Sequence, residues 1–185
     1  MVLAGGRGSR LGGREKGEIQ IAGRRLIDLV VTAALASGCE RAIVAGDVTA
    51  DGSTSVREDP PFGGPVAGLA AALPEVKTNW IMLLGCDLPH AGLLCRLLAE
   101  SFRDVAPETD GLVALTDGRV QWLAGIYRRT SIERSLTSLD AVDGASLRDL
   151  FGGMALREVQ DPEGLARDVD TPEDLERLTQ GEDQL

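Results

Sequence analysis

Met1-Val2-Leu3-Ala4-Gly5-Gly6-Arg7-Gly8-Ser9-Arg10-Leu11-Gly12-Gly13-Arg14-Glu15-Lys16-Gly17 opens the chain. A short apolar strand, Met1 to Ala4, runs into a loop with glycines at 5, 6, 8, 12 and 13, cations at Arg7, Arg10 and Arg14, and Lys16 at its end. Backbone without side chains can turn its N–H groups onto phosphate oxygens, and nearby cations neutralise their charge. The stretch therefore reads as a cradle for a nucleoside triphosphate. A plain glycine-rich surface turn is the alternative, but it explains neither the strand before the loop nor the cations within it.

Two common phosphate loops do not fit. The dinucleotide fingerprint needs glycines at the first, third and sixth places. Counted from Gly6 and Gly8, the sixth place is Leu11. The P-loop needs Gly-Lys-Ser/Thr at its end, and here Arg14 follows Gly13.

The 185 residues and 43% hydrophobic content suit a single packed domain over 1–185. The net charge of −10 excludes a non-specific nucleic-acid binder, which needs a basic face. Cys39, Cys86 and Cys95 have neither zinc spacing nor an even count, so a reducing cytoplasmic setting is expected. No apolar run is long enough for a bilayer and no leader pattern is present, so no membrane is expected. Only four residues precede the loop, which leaves room for further residues upstream.

Apolar strands alternate with helical stretches. Helices are expected over Leu26–Leu35, Pro65–Leu73, Leu93–Phe102 and Ser146–Phe151. Strands are expected at Ala42–Ala45, Ser55–Glu58, Trp80–Leu84, Gly111–Leu115, Gln121–Tyr127 and Ala155–Val159. Asp51–Thr54 reads as polar loop. Asp117-Gly118 marks a hairpin between Gly111–Leu115 and Gln121–Tyr127. Thr171-Pro172-Glu173-Asp174 reads as a helix start. The pattern predicts an α/β, three-layer, Rossmann-like fold with a mostly parallel mixed sheet. Ligands in such sheets bind beyond the carboxyl ends of the strands.

Asp87 follows the most apolar strand and is bounded by Gly85 and Pro89. A carboxylate there suits Mg²⁺, which takes one or two carboxylates with phosphate oxygens and water; capping the next helix is the alternative. Asp170, within Asp168-Val169-Asp170-Thr171-Pro172, is the second candidate acid. An extended backbone puts Asp168 and Asp170 on one side, and capping of the last helix competes for both. Lys16 and Arg10 are the candidate phosphate cations. Asp59, fixed by Pro60 and Pro61, could accept two adjacent N–H groups of guanine. The only histidine, His90, reads as a surface or rim residue. A phosphate monoester acceptor is already ionised and needs no base, so positioning and charge neutralisation suffice.

These pieces together resemble the molybdenum cofactor guanylyltransferase family (molybdopterin-guanine dinucleotide biosynthesis protein A), within the MobA-like nucleotidyltransferase superfamily. The resemblance runs through Leu3-Ala4-Gly5-Gly6, Ser9-Arg10-Leu11-Gly12-Gly13, Lys16-Gly17, Glu58-Asp59, Gly64-Pro65-Val66-Ala67-Gly68, Cys86-Asp87-Leu88-Pro89 and Asp170-Thr171-Pro172-Glu173-Asp174-Leu175. It implies Mg²⁺-dependent transfer of GMP from GTP to the terminal phosphate of molybdopterin, with release of pyrophosphate. It implies nucleotide contacts at Leu3, Ala4, Gly5, Lys16, Asp59 and Asp87, another near Ala45 or Gly46, and Asp87 as metal ligand. Related cytidylyltransferases share the loop, the Cys-Asp-x-Pro and the Thr-Pro. A CTP-dependent or other transferase on a different phosphorylated acceptor, and a nucleotide-binding module without turnover, therefore stay open.

Overall fold

The computed structural model describes residues 1–5, 15–59, 61 and 63–179. A seven-stranded sheet has the order β5-β4-β1-β6-β8-β7-β9, with β1 Val2–Leu3, β4 Ala42–Ala45, β5 Ser53–Val56, β6 Trp80–Gly85, β7 Gly111–Thr116, β8 Arg119–Arg128 and β9 Leu156–Gln160. A separate antiparallel pair joins β2 Gln20–Ile21 to β3 Arg24–Arg25. In the main sheet only β8 runs against its neighbours, pairing antiparallel with both β6 and β7; every other ladder is parallel.

Strand alternation builds two cores. Val2, Val44, Leu84 and Leu112 point to one face, with Ile27 and Val30 of α1 (Leu26–Ala36) and Leu94 and Leu98 of α3 (Ala91–Phe102). Leu3, Ile43, Leu83 and Val113 point to the other. There they meet Val66 and Leu69 of α2 (Pro65–Ala72), Ile132 of α4 (Arg129–Thr137) and Phe151 of α5 (Leu147–Phe151). Helices on both faces make three layers, the architecture read from the alternating pattern.

Local chemistry sets the boundaries. Gly64 precedes α2 at φ +93°, which only glycine adopts without strain, and Pro65 takes the first turn. Asp149 closes a capping box on Ser146 ahead of α5. Asp174 accepts from the Thr171 hydroxyl and amide at the start of α6 (Pro172–Thr179). One expectation needs correction, and two elements were not read from the sequence. Ser53 and Thr54 belong to β5 and not to a loop, because their backbones pair with Ala42 and Ile43. Helix α4 has a mostly polar sequence, Arg-Thr-Ser-Ile-Glu-Arg-Ser-Leu-Thr, and gave no periodic signal beyond Ile132 and Leu136. The β2–β3 pair is too short for alternation to reveal.

β1 pairs with β4 on one side and β6 on the other, while the chain visits β4 first. This is the switch point at which ligands bind in open α/β sheets. The carboxyl ends of β1, β4, β5 and β6 meet the beginning of antiparallel β8 along the same edge. No helix among the described residues is long and apolar enough to cross a membrane.

Candidate active site

Two adjoining cavities flank the end of β1. One, of about 390 Å³, is lined by Lys16, Asp87 and Asp168 and continues to Gln121, Trp122 and Leu147. The other, of about 260 Å³, lies over β4 and β5 against Ala45, Gly46, Arg57, Glu58 and Gly68. Leu3, Ala4, Gly5, Glu15 and Pro65 belong to both walls.

Glycines keep this edge bare. Gly46 sits at φ +144°, and a Cβ there would lie 2.8 Å from the Ala4 carbonyl carbon. Its amide donates to the Val56 carbonyl at 2.9 Å. A Cβ on Gly85 would lie 2.8 Å from Asp87 Oδ1. The amides of Ala4 and Cys86 are tied to Ala45 and Leu3. The turn after each strand is thus held while its side-chain space stays open.

Lys16 is the electrostatic centre. Its Nζ donates to Asp87 Oδ2 at 2.7 Å and to Asp170 Oδ1 at 2.5 Å, with Asp168 Oδ2 at 3.9 Å. Burial lowers the ammonium's pKa, but the hydrogen bonds to Asp170 and Asp87 outweigh it and hold it above the usual lysine range. Burial, then repulsion from Asp87 and Asp170, pushes the Asp168 carboxyl up against the pull of Lys16. The Lys16 and Asp87 side chains are only 24% and 13% exposed, so the pair is sheltered more than a surface ion pair. Neighbouring Cys86 is buried, which pushes its thiol up to about 12 and makes it a neutral wall residue.

The alternatives for the acids resolve. Asp87 does not cap α3, which has no side-chain cap and begins after His90. Asp170 does not cap α6; Thr171 and Asp174 do that, and the Asp170 carboxylate turns to Lys16. Val169, between the two acids, is fully buried, which puts Asp168 and Asp170 on the other side of the extended segment. Its amide donates to the Asp87 carbonyl at 3.0 Å, so the last loop is tied to the end of β6.

Buried Asp161 fixes that loop at its other end. Its carboxylate accepts from Thr116 Oγ1 at 2.7 Å and from the amides of Leu165 and Ala166 at 2.9 Å each. Sequence reading missed it, because only the fold shows three donors converging on it.

Asp87 and Asp170 converge on one cation, the Lys16 ammonium. Two carboxylates of this kind are donors that a hard divalent ion accepts when phosphate oxygens and water complete its shell. Among the described residues no group of three or more His, Cys, Asp or Glu is arranged to hold a metal by itself. Leu3, Ala4, Gly5, Lys16 and Asp87 come together at the cavity edge. Asp59 does not: it is exposed and lines neither cavity, and Glu58 beside it is the residue in the wall. Arg10, with glycines 6, 8, 12 and 13, lies outside the described residues. His90 is partly buried at the start of α3, away from both linings.

A second set of residues was not read from the sequence. The β7–β8 register jumps from Val113↔Gly125 to Ala114↔Gln121, which leaves residues 122–124 bulged. Trp122 and Leu123 thereby enter the cavity wall. Strand alternation alone does not show where a ladder slips.

Comparison with known proteins gives the family and the fold. The sequence model described as "MobA-like NTP transferase domain" matches residues 1–159. A molybdenum cofactor guanylyltransferase of Pseudomonas syringae is 38% identical over 114 residues, 58% of this chain and 55% of that protein. One from Pseudomonas putida is 32% identical over 133 residues, 64% and 63% of the two chains. The chain thus spans somewhat over half the length of these curated relatives. Among solved structures, a nucleotidyl transferase from Methanothermobacter superposes with a TM-score of 0.72 at 19% identity, covering 97% of this chain and 94% of the other. The molybdopterin-guanine dinucleotide biosynthesis protein A of Archaeoglobus fulgidus gives 0.60 at 20% identity, covering 97% and 95%. At these identities the superpositions speak for the fold.

Proposed function

The chain belongs to the MobA-like NTP transferase family, and from that premise we propose that it is a molybdenum cofactor guanylyltransferase. It moves GMP from GTP to the terminal phosphate of molybdopterin, within one nucleotidyltransferase domain. The observation that carries this reading is the pair of cavities sharing Leu3, Ala4 and Gly5 as one wall at the end of β1, with the hydrogen-bonded Lys16 and Asp87 lining the larger of the two. One cavity takes the nucleoside and the other the acceptor, so the α-phosphate and the attacking oxygen meet at the shared edge. The names of the guanylyltransferase relatives support the choice of substrates.

An acceptor phosphate oxygen forms a bond to the α-phosphorus. The bond from that phosphorus to the bridging oxygen breaks, and pyrophosphate leaves with the electron pair. The acceptor is already ionised, so no residue need take a proton. The chain contributes position and charge: Gly5 and the loop hold the phosphates, and Lys16 neutralises the developing negative charge. Asp87 and Asp170 would hold Mg²⁺, which supplies Lewis-acid neutralisation of the triphosphate. Glu58 and Arg57 stand at the nucleoside end.

Thermal shift with Mg²⁺ and either GTP or CTP tests the base, and pyrophosphate release with molybdopterin tests the transfer. Greater stabilisation by GTP and acceptor-dependent release are expected. Greater stabilisation by CTP would move the assignment to a cytidylyltransferase. Binding without release for any acceptor would make the chain a nucleotide-binding module.

A further inference from the structure

The acceptor half of the site has a built aromatic wall. The β8 bulge frees the Trp122 carbonyl from the β7 ladder, and the Tyr127 hydroxyl donates to it at 2.8 Å. The Tyr127 ring has room because residues 111 and 125 are glycines; a Cβ at 125 would lie 2.8 Å from Tyr127 Cε2. Phe151 stacks on Tyr127 at 4.2 Å between centroids and 18° between planes. The same Phe151 stacks on Trp122 at 6.2 Å and 21°. Three rings thus lie in register from the fully buried Tyr127 outward to Trp122, which is itself part of the cavity wall. The cavity is charged at its Lys16–Asp87 end and aromatic at this one.

We infer that Trp122 is a specificity-determining residue that stacks against a planar conjugated ring of the acceptor, while the acceptor's phosphate lies toward Lys16. Tyr127 and Phe151 are positioning residues, acting through Trp122. An offset stack on a ring already held parallel needs no reorganisation on binding. A cavity with one anion-attracting end and one flat aromatic end selects a phosphate monoester that carries a flat heterocycle. This inference rests on the transfer reaction proposed above, for which it names the feature of the acceptor that is recognised.

The test uses the two tryptophans. Trp80 lies at the start of β6, edge-on to Phe102, while the site lies beyond the far end of that strand, roughly 16 Å away at about 3.3 Å per residue. The Trp80→Phe protein therefore reports on Trp122 alone. A pterin carrying a phosphate monoester should quench its emission saturably, and glycerol 3-phosphate, which lacks a ring, should not. Trp122→Ala should raise KM for the ringed acceptor about tenfold or more with kcat nearly unchanged, and leave GTP affinity as it was. Trp122→Phe, which keeps a stacking ring, should restore most of the loss and guards against a folding defect. Unchanged emission with the pterin phosphate, or equal acceptor KM in Trp122→Ala and the parent protein, would overturn the inference. A saturable quench with no transfer to any acceptor would instead strike the reaction assigned above and support the platform.

Discussion

Lys16 Nζ lies 2.7 Å from Asp87 Oδ2, across 71 residues of sequence, and the same ammonium reaches Asp170 at 2.5 Å. The end of the first loop, the end of the central strand and the last loop therefore close on one positive charge. Two carboxylates around one ammonium leave a local negative balance, which an arriving cation and an arriving triphosphate change in opposite directions. In the transfer reaction proposed above, Lys16 would turn to the phosphate oxygens of the nucleotide, and the two acids would then face the Mg²⁺ they are proposed to hold.

Replacing the ammonium tests that exchange. In Lys16→Met, Asp87 and Asp170 lose their shared partner while Asp168 still adds repulsion. Mn²⁺ counted by electron paramagnetic resonance without nucleotide should bind about tenfold more tightly than in the parent protein. Nucleotidyl transfer should fall by about 10²–10³-fold, the scale of losing one preorganised charge at the reacting phosphate. Mn²⁺ binding no tighter than in the parent protein would separate the lysine from the cation position.

Asp87 can be probed through its charge and through its placement. Asp87→Ala should abolish metal-dependent transfer with the fold intact, since the residue caps no helix. Gly85→Ala leaves the charge and forces the carboxylate to move, because the new Cβ would lie 2.8 Å from Asp87 Oδ1. A drop in kcat of about tenfold is expected from a displacement of that size. Steady-state kinetics with circular dichroism checks both variants, and full activity in Asp87→Ala would remove this residue from the mechanism.

The apolar strands were legible because they are buried on both faces: Ala42–Ala45 and Trp80–Gly85 read as unbroken hydrophobic runs. Lys16 and Asp87 were legible because glycine and proline punctuate the turns that hold them. Trp122 and Asp161 were not, for a common reason. Trp122 owes its position to a slip in one ladder, and Asp161 to donors from Thr116 and the Leu165–Ala166 turn. Neither arrangement leaves a periodic trace. Glu58 and Asp59 show the limit of register: both follow β5, and only the backbone turn decides that Glu58 faces the cavity.

The last loop should depend on Asp161. Thr116→Val keeps the shape and removes one of the donors to a carboxylate that is 3% exposed. The loss should be about 1–2 kcal/mol, a fall in Tm of about 3–6 °C for a chain of this size. Hydrogen exchange at the Leu165 and Ala166 amides should accelerate, and the Mg²⁺ concentration for half-maximal activity should rise, because Asp168 and Asp170 ride on this loop. Exchange unchanged at both amides would show that the loop is held elsewhere.

Asp110 gives the pH dependence a site remote from the chemistry. Burial raises its carboxyl, but the Ser131 hydroxyl at 2.5 Å and the Ala155 amide at 3.0 Å outweigh this, and the pKa lies below the usual carboxylate range. A depressed acid contributes stability that is complete above its unfolded pKa and is lost as pH falls through the folded value. Asp110→Asn should therefore lower Tm at pH 7 by about 3–6 °C, the consequence of weakening a charge-assisted hydrogen bond. The gap to the parent protein should narrow as pH drops below about 4, where the unfolded carboxyl takes up its proton. Thermal melts of both proteins from pH 7 to pH 3 check this. A gap that stays constant across the range would show that shape at this junction of β7, α4 and β9, and not charge, provides the stability.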